Sequence, residues 1–449
     1  MKAFWVQIRQ KLCLNCEVSW STYLLVVLFG IGSWVAVNGI WVELPVLVQH
    51  APESWKLPSV FAVVIQIANI GPLLHTVFNA FWPGKVRDTW IIYIILSIGI
   101  ICCGLLVFLW KETGVVLGEE HSVSLIALVF FLAFVACTSS VTFLPFMAVF
   151  KKEYMSALFV GAGLSGLLPS LLAVAQDTPS SGDPCANYTQ GNTTWSASDN
   201  LNFSTSIFFL NIMFLMVVSL LAFFCLNTLS SVKQERVDYH YDSDAETFPR
   251  EALSLDSSQE FELHRLEEND ETYLYDGSQP GSEMQKWKLA FLLIIQVWIH
   301  AFSNGVVPSI QPFACIPYGN NVYYLTLIIS NVANPCSSLL FSLLSTTHLC
   351  AIAILSSFYT TIVAFIITAA KMSPNPPMVN SSAGPPIIVL ANVLSVALVT
   401  YTKVAISTRL RKQGKKHLQW AGIALQSGSF LGAMVTFLFV NVFDSFSQC

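Results

Sequence analysis

Gly30-Ile-Gly-Ser-Trp-Val-Ala-Val-Asn-Gly-Ile-Trp-Val-Glu-Leu-Pro45 lies inside a predominantly apolar run from about residue 22 to residue 48. A helix of roughly twenty such residues crosses a hydrocarbon core of about 30 Å, so the stretch reads as a membrane span. Glu43 is the only carboxylate in any of the long apolar stretches of the chain. A charge at that depth is costly unless it faces protein or water, so it marks a pathway or a partner.

The pattern repeats outward from this segment. Apolar runs recur at approximately 57 to 82, 89 to 110, 122 to 148, 155 to 176, 206 to 229, 287 to 309, 321 to 344, 348 to 370, 386 to 406 and 418 to 443, eleven in all with the first. Composition agrees: 54% of the 449 residues are hydrophobic and 11% charged, against about 25% charged in ordinary soluble domains. The expected fold is all-α and polytopic. The polar first residues and the length of the first run argue for a retained anchor rather than a cleaved leader.

Lys and Arg beside the spans set the orientation. With the N-terminus in the cytosol, the inner side receives Lys2, Arg9, Lys11, Lys85, Arg87, Lys151, Lys152 and the cluster Arg409, Arg411, Lys412, Lys415 and Lys416; the outside receives Lys56, Lys111 and Lys371. The acceptor motifs at Asn187, Asn192, Asn202 and Asn380 then all fall outside, where glycosylation occurs. An odd span count places Cys449 outside as well. This arrangement predicts a multi-pass membrane protein with a cytosolic N-terminus.

Charge also divides the chain. Residues 230 to 285 hold fifteen acidic and four basic residues, net −11, which leaves +6 elsewhere against a total of −5. The expected organisation is a cytosolic tail (1–21), an N-terminal half of six spans (22–229), an acidic disordered cytosolic linker (230–286) and a C-terminal half of five spans (287–449). The basic residues follow membrane edges rather than one soluble face, so no nucleic-acid partner is expected, only the bilayer. Of eleven cysteines, Cys185, Cys315 and Cys449 are expected on the oxidising side, with one disulfide possible among them. Cys13 and Cys16 form an isolated CxxC without further ligands, so no metal is expected.

Polar positions inside the spans reveal a repeat. Asn38-Gly39 matches Asn304-Gly305 at an offset of 266, Asn69 and Gln66 match Asn334 and Asn331 at 265, and Ser165-Gly166 matches Ser427-Gly428 at 262. Six spans separate the copies, so both run in the same direction. That is the parallel repeat of major-facilitator-type carriers, which bind substrate between their halves near the midplane. At about 1.5 Å per residue, Trp34, Asn69, Thr138, His300, Asn331 and Asn334 fall near the middle of their spans, with Asn38 and Asn304 a turn further out. Trp34, Asn38 and Trp41 share a face by i, i+4 and i+3 spacing, as do Asn331 and Asn334. Single amides in membrane helices also serve helix packing, but amides converging from several helices favour a polar cavity. Gly30, Gly32, Gly161, Gly163, Gly166 and Gly432 read as packing glycines.

These strings resemble the eukaryotic riboflavin transporters of the solute carrier class. The resemblance rests on Gly32-Ser-Trp-Val35, Asn38-Gly-Ile-Trp-Val-Glu-Leu-Pro45, Gln66-Ile-Ala-Asn-Ile-Gly-Pro-Leu-Leu74, Cys137-Thr-Ser-Ser-Val-Thr-Phe-Leu-Pro-Phe-Met147, Phe159-Val-Gly-Ala-Gly-Leu-Ser-Gly-Leu-Leu-Pro169, Asn304-Gly305 with Pro308-Ser309, Val332-Ala-Asn-Pro335, and Tyr401 with Lys403. It implies a plasma-membrane carrier importing riboflavin by alternating access, with a fold like the major-facilitator and equilibrative nucleoside transporters. No cofactor is implied beyond riboflavin as cargo. Some members of the family serve as viral receptors, so a viral envelope protein is a further partner the resemblance brings. Asn375 stands where some members carry Cys, so a bridge from there to Cys449 is excluded.

Riboflavin is neutral, with a flat tricyclic ring, a uracil-like edge and a polyhydroxyl tail. Amides supply both donors and acceptors to that edge, and aromatic faces stack on the ring. The expected contacts are Trp34, Asn38, Gln66, Asn69, Thr138, Asn304, Gln311, Asn331, Asn334 and Tyr401. Glu43 is expected near the outer mouth as a gate or protonation-sensitive residue. Lys403 is expected on the inner side as a gate or tail-binding residue, too far from Glu43 to pair with it; His300 is expected to pack. The alternatives are a carrier of nucleosides or another heterocycle, and a glycosylated cell-surface receptor. No grouping of side chains suits an enzyme.

Overall fold

The computed structural model describes residues 19–81, 88–116, 118–147, 150–151, 153–176, 201–236, 286–344, 346–411 and 415–446. The cysteines at 13, 16, 185 and 449, the acceptors Asn187 and Asn192, and nearly all of the acidic linker lie outside them. Nine helices among the described residues are long and apolar enough to cross a membrane, and ten if a bent pair counts as one span.

The bent pair is the first crossing, α1 (Trp20–Ile31) and α2 (Val35–Leu47), which meet at 50°. The second is α3 (Leu57–Ala68) and α4 (Ile70–Phe81), interrupted at Asn69. Then come α5 (Asp88–Leu109), α6 (Val123–Met147), α7 (Glu153–Gln176), α8 (Thr205–Thr228) and a short α9 (Ser230–Lys233). The seventh crossing is α10 (Lys286–His300), a π-helical turn at Ala301–Val306, and α11 (Val307–Cys315). α12 (Asn320–Leu343), α13 (Leu349–Lys371), α14 (Gly384–Arg411) and α15 (Lys415–Phe437) complete the chain. α12 has 24 residues, long enough to span, and is counted in addition to those nine. Counting α12 and the bent pair is consistent with the expected eleven crossings.

One feature departs from the sequence reading. The all-α expectation holds except for a hairpin, β1 (Gly114–Val116) with β2 (Glu119–His121), antiparallel with Val115 opposite Glu120. The first residues of the acidic segment, 230–236, are held against the bundle: Arg236 donates to the Leu226 carbonyl at 3.0 Å and to Asn227 Oδ1 at 3.2 Å, and lies over the Phe150 ring at 5.2 Å. Lys151 pairs with Glu235 at 2.8 Å. These contacts dock residues 230–236 against the fourth-to-fifth-span connection. The two ends of the bundle are accordingly the hairpin end and the linker end.

Within each half the first and fifth crossings touch backbone to backbone. The Cβ that Gly161 lacks would fall 2.8 Å from Gly30 Cα, and the one Gly432 lacks would meet the Ala301 carbonyl. A side chain at either position would push the helices apart. Small residues permit such close approach, and in lipid this packing replaces the hydrophobic drive between helices.

The halves meet through α3 on α15 and α11, and through α12 on α7 and α2. One buried apolar cluster runs through the N-terminal half and into the hairpin-end residues Ile310, Phe313, Val322, Ile366 and Ile388 of the other half. A second cluster, with Leu292, Phe341, Ile352, Ala405 and Leu410, occupies the linker end of the C-terminal half by itself. The core is therefore continuous between the halves at the hairpin end and divided at the linker end.

Candidate substrate cleft

Polar side chains gather where the helices are interrupted. A broken or π-helical turn frees backbone groups that need polar partners, tolerated in membranes only against protein or a wet cavity. Asn38 lies four residues beyond the Trp34 break and donates to Ser165 Oγ at 3.3 Å. Asn304 lies in the π-helical turn and donates to Ser429 Oγ at 2.9 Å. Each bond joins the first crossing of a half to its fifth, so the repeat read from sequence is repeated as a contact.

Two further amides bridge the halves. Asn69, at the break in the second crossing, donates to Gln66 Oε1 and to Gln426 Oε1, both at 3.3 Å. Asn331 on α12 donates to Ser170 Oγ on α7 at 3.1 Å. Gly166 stands between Asn38 and Asn331: a Cβ there would lie 3.6 Å from Asn38 Nδ2 and 4.0 Å from Asn331 Cβ. Asn334, one turn along α12, is exposed and accepts from Thr400 Oγ1 at 2.9 Å. Lys403 is exposed one turn further along the same helix α14, although protein surrounds it; that is the environment of a residue lining an internal cleft. It lies within electrostatic range of the His300 ring.

The structure thus brings Asn38 beside Asn331, with Asn334 one turn along the same helix, and Asn69 beside Gln66, as two groups among the expected contacts. Asn304 is exposed on the seventh crossing. Trp34 is half-buried at the first-crossing break. Tyr401 packs on Phe341 at 5.2 Å and donates to the Leu344 carbonyl, toward the linker end. Two expected contacts are placed elsewhere. Thr138 is buried with its hydroxyl on the Phe134 carbonyl at 2.7 Å, against Gly71. Gln311 is buried inside the C-terminal half on Asn392 Oδ1 at 3.1 Å.

Other titratable expectations resolve likewise. His300 is buried, with Nδ1 2.9 Å from the Gln296 carbonyl. Glu43 is 1% exposed and turned into the N-terminal half, toward Gln176, rather than into the cleft. No ion pair joins it to Lys403 among the described residues. Cys315 is a buried free thiol beside Asn392. Asn202 and Asn380, two of the acceptors, are exposed at the hairpin end.

Sequence reasoning missed Gln426, Ser170, Thr400 and Ser429. Gln426 and Ser429 flank the Ser427-Gly428 pair that the repeat had marked, so proximity to that pair was the available signal. Ser170 and Thr400 carried none.

At the hairpin end the cleft is sealed. Lys56 pairs with Asp444, Asn441 donates to Ser59 Oγ, and Trp55 meets Tyr323 edge-on at 5.8 Å. Each contact joins one half to the other. The halves are thus in polar and aromatic contact at the hairpin end, while their apolar cores are separate at the linker end.

Known transporters share this architecture. The nucleoside transporter NupG, in a mutant form, superposes with a TM-score of 0.55 at 10% identity over 94% of this chain and 92% of that one. The D-xylose-proton symporter gives 0.52 at 14% identity over 93% and 89%. At such identities the likeness concerns the fold, which is of the major-facilitator type. Sequence relatives are nearer. Riboflavin transporter 2 of Salmo salar is 40% identical over 444 residues, 95% of this chain and 97% of that protein. The solute carrier family 52 riboflavin transporter member 3 of Homo sapiens is 36% identical over 478 aligned positions, 95% and 97% of the two chains. The family described as solute carrier family 52, riboflavin transporter, matches residues 18–448, and the chain belongs to that family.

Proposed function

We propose that the chain imports riboflavin across the plasma membrane by alternating access, holding the vitamin in the cleft between residues 22–229 and 287–449. It is a transporter rather than an enzyme, as its relatives are named. The observation that carries the cleft assignment is the set of amides contributed by both halves, Asn38 and Asn69 from one and Asn331 and Asn334 from the other, with Asn69 and Asn331 each bonded across to the opposite half. A neutral, flat heterocycle with alternating donors and acceptors suits amides, which offer both. Trp34 and Tyr401 supply aromatic surface nearby. Lys403, the cation of the cleft, serves the linker-side mouth by donating to carbonyl or hydroxyl oxygens.

The orientation that accompanies this reading puts the N-terminus and linker in the cytosol, and the hairpin, Asn187, Asn192, Asn202 and Asn380 outside. Uptake of labelled riboflavin by cells expressing the chain tests the reading. Unlabelled riboflavin is expected to compete and excess nucleosides are not; equal competition by nucleosides overturns the substrate assignment.

A further inference from the structure

Glu43 and Gln176 form a buried pair whose hydrogen bonds do not close when the acid is ionised. Gln176, 0% exposed, spends its two amide protons on Glu43 Oε1 at 3.1 Å and on the Phe203 carbonyl at 3.3 Å. Glu43 Oε2 and Gln176 Oε1 are then left buried without a hydrogen-bond partner. Thr205 lies beside the carboxyl but leaves Oε2 without a bond of normal geometry. Two orphaned acceptors on side chains already joined are rare in a native interior. A single proton removes both: on Oε2 it turns an acceptor into a donor, and Gln176 Oε1 is the acceptor it lacks.

The charges nearby point the same way. From α7 the group facing Glu43 is Gln176 and from α8 it is Thr205. α6 and α12, also packed on α2, contain no Asp, Glu, Lys or Arg, and their titratable side chains are Cys137, Tyr323, Tyr324 and Cys336. α8 contains no charged residue, and α7 only Glu153, at its other end. Asp177 lies outside the described residues. An ionised Glu43 would thus be a buried anion with no described cation to meet it, a costly arrangement.

We propose that Glu43 is a proton-binding site: as a neutral acid it donates to Gln176 Oε1, and the resulting acid–amide pair clamps α2, α7 and α8 together near the hairpin end. Gln176, Phe203 and Thr205 all belong to the half that carries Glu43. The proton is therefore a fixed part of that half, and its loss slackens the helix bearing Asn38. The clamp stands on packing alone; only its consequence for uptake rests on the carrier reading.

Infrared difference spectra of the purified full-length protein, wild type against Glu43→Gln, test the site directly. A protonated-carboxyl stretch present at neutral pH in wild type and missing in the variant is expected; its absence from wild type overturns the proposal. Glu43→Gln keeps two hydrogen bonds, amide to amide, and is expected to retain riboflavin uptake, whereas Glu43→Ala is expected to lose most of it. Wild-type uptake is expected to fall as external pH rises through the deprotonation of Glu43, and the Gln variant is expected to give a flat profile. Full loss of uptake in a surface-expressed Glu43→Gln protein overturns the neutral-acid role. A wild type that shows the infrared band but carries no riboflavin refutes the carrier reading and leaves the clamp standing.

Discussion

Asn304 donates to Ser429 at 2.9 Å across the first and fifth crossings of its half, as Asn38 does to Ser165 at 3.3 Å in the other. The partner serines sit beside the glycines that bring each helix pair together, Gly161 with Gly30 and Gly432 with Ala301. Backbone approach and side-chain bond thus form one unit, present twice. Both amides are among the residues proposed to contact substrate, so on that reading the unit couples packing of a half to the substrate surface.

Removing the bond should therefore cost stability in a coupled way. A hydrogen bond of this kind contributes about 1 kcal/mol net. In a double-mutant cycle of Asn304→Ala and Ser429→Ala, read by thermal unfolding in detergent, the coupling energy is expected at about 0.5 to 1.5 kcal/mol. Strict additivity would mean that the two side chains act independently.

The cleft amides should separate from the packing residues in their effect on transport. Asn38→Ala and Asn334→Ala are expected to lower riboflavin uptake roughly tenfold, the loss of one or two hydrogen bonds to substrate, with surface expression maintained. Thr138→Ala and Gln311→Ala, buried away from the cleft, should change expression or thermal stability before they change KM. Normal uptake in both Asn variants would remove the cleft from substrate binding.

Those contrasts also mark what the sequence could disclose. Span positions and the repeat were legible because hydropathy and amide placement are one-dimensional signals. Rotation about the helix axis was not. Thr138 and Asn69 lie at similar depth, yet one turns to Gly71 and the other to Gln426. Glu43 was legible as an anomaly, but which half it faced depended on Gln176, 133 residues away. The break at Gly32–Trp34 carries no proline, whereas Pro308, which lacks an N–H and crowds the Asn304 carbonyl, follows the π-helical turn at Ala301–Val306.

The docked start of the linker predicts an acid-sensitive tether. Lys151, 2.8 Å from Glu235, holds that carboxyl below the usual carboxylate range. A depressed folded value means the contribution is complete above the ordinary carboxylate value and is lost as pH falls through the folded one. Hydrogen exchange over residues 230–236 should accelerate on that acid side, and Lys151→Ala should produce the acceleration at neutral pH. Equal protection in the variant would mean that Arg236, on Leu226 and Phe150, holds the segment by itself.

The hairpin-end seal gives the sharpest test of alternating access. Lys56 and Asp444, Ser59 and Asn441, and Trp55 and Tyr323 each join opposite halves. Opening that end requires all three to part. The ion pair is exposed on the Asp444 side, at 70%, so Lys56→Ala should cost about 0 to 1 kcal/mol and change uptake little. Locking the same positions should have a far larger effect. A Lys56→Cys/Asp444→Cys protein treated with a short bifunctional thiol cross-linker is expected to lose uptake almost completely, while either single variant treated likewise keeps it. A reducible linker should restore transport on reduction. Undiminished uptake by the cross-linked protein would show that these residues need not separate during the cycle, and that the seal lies elsewhere.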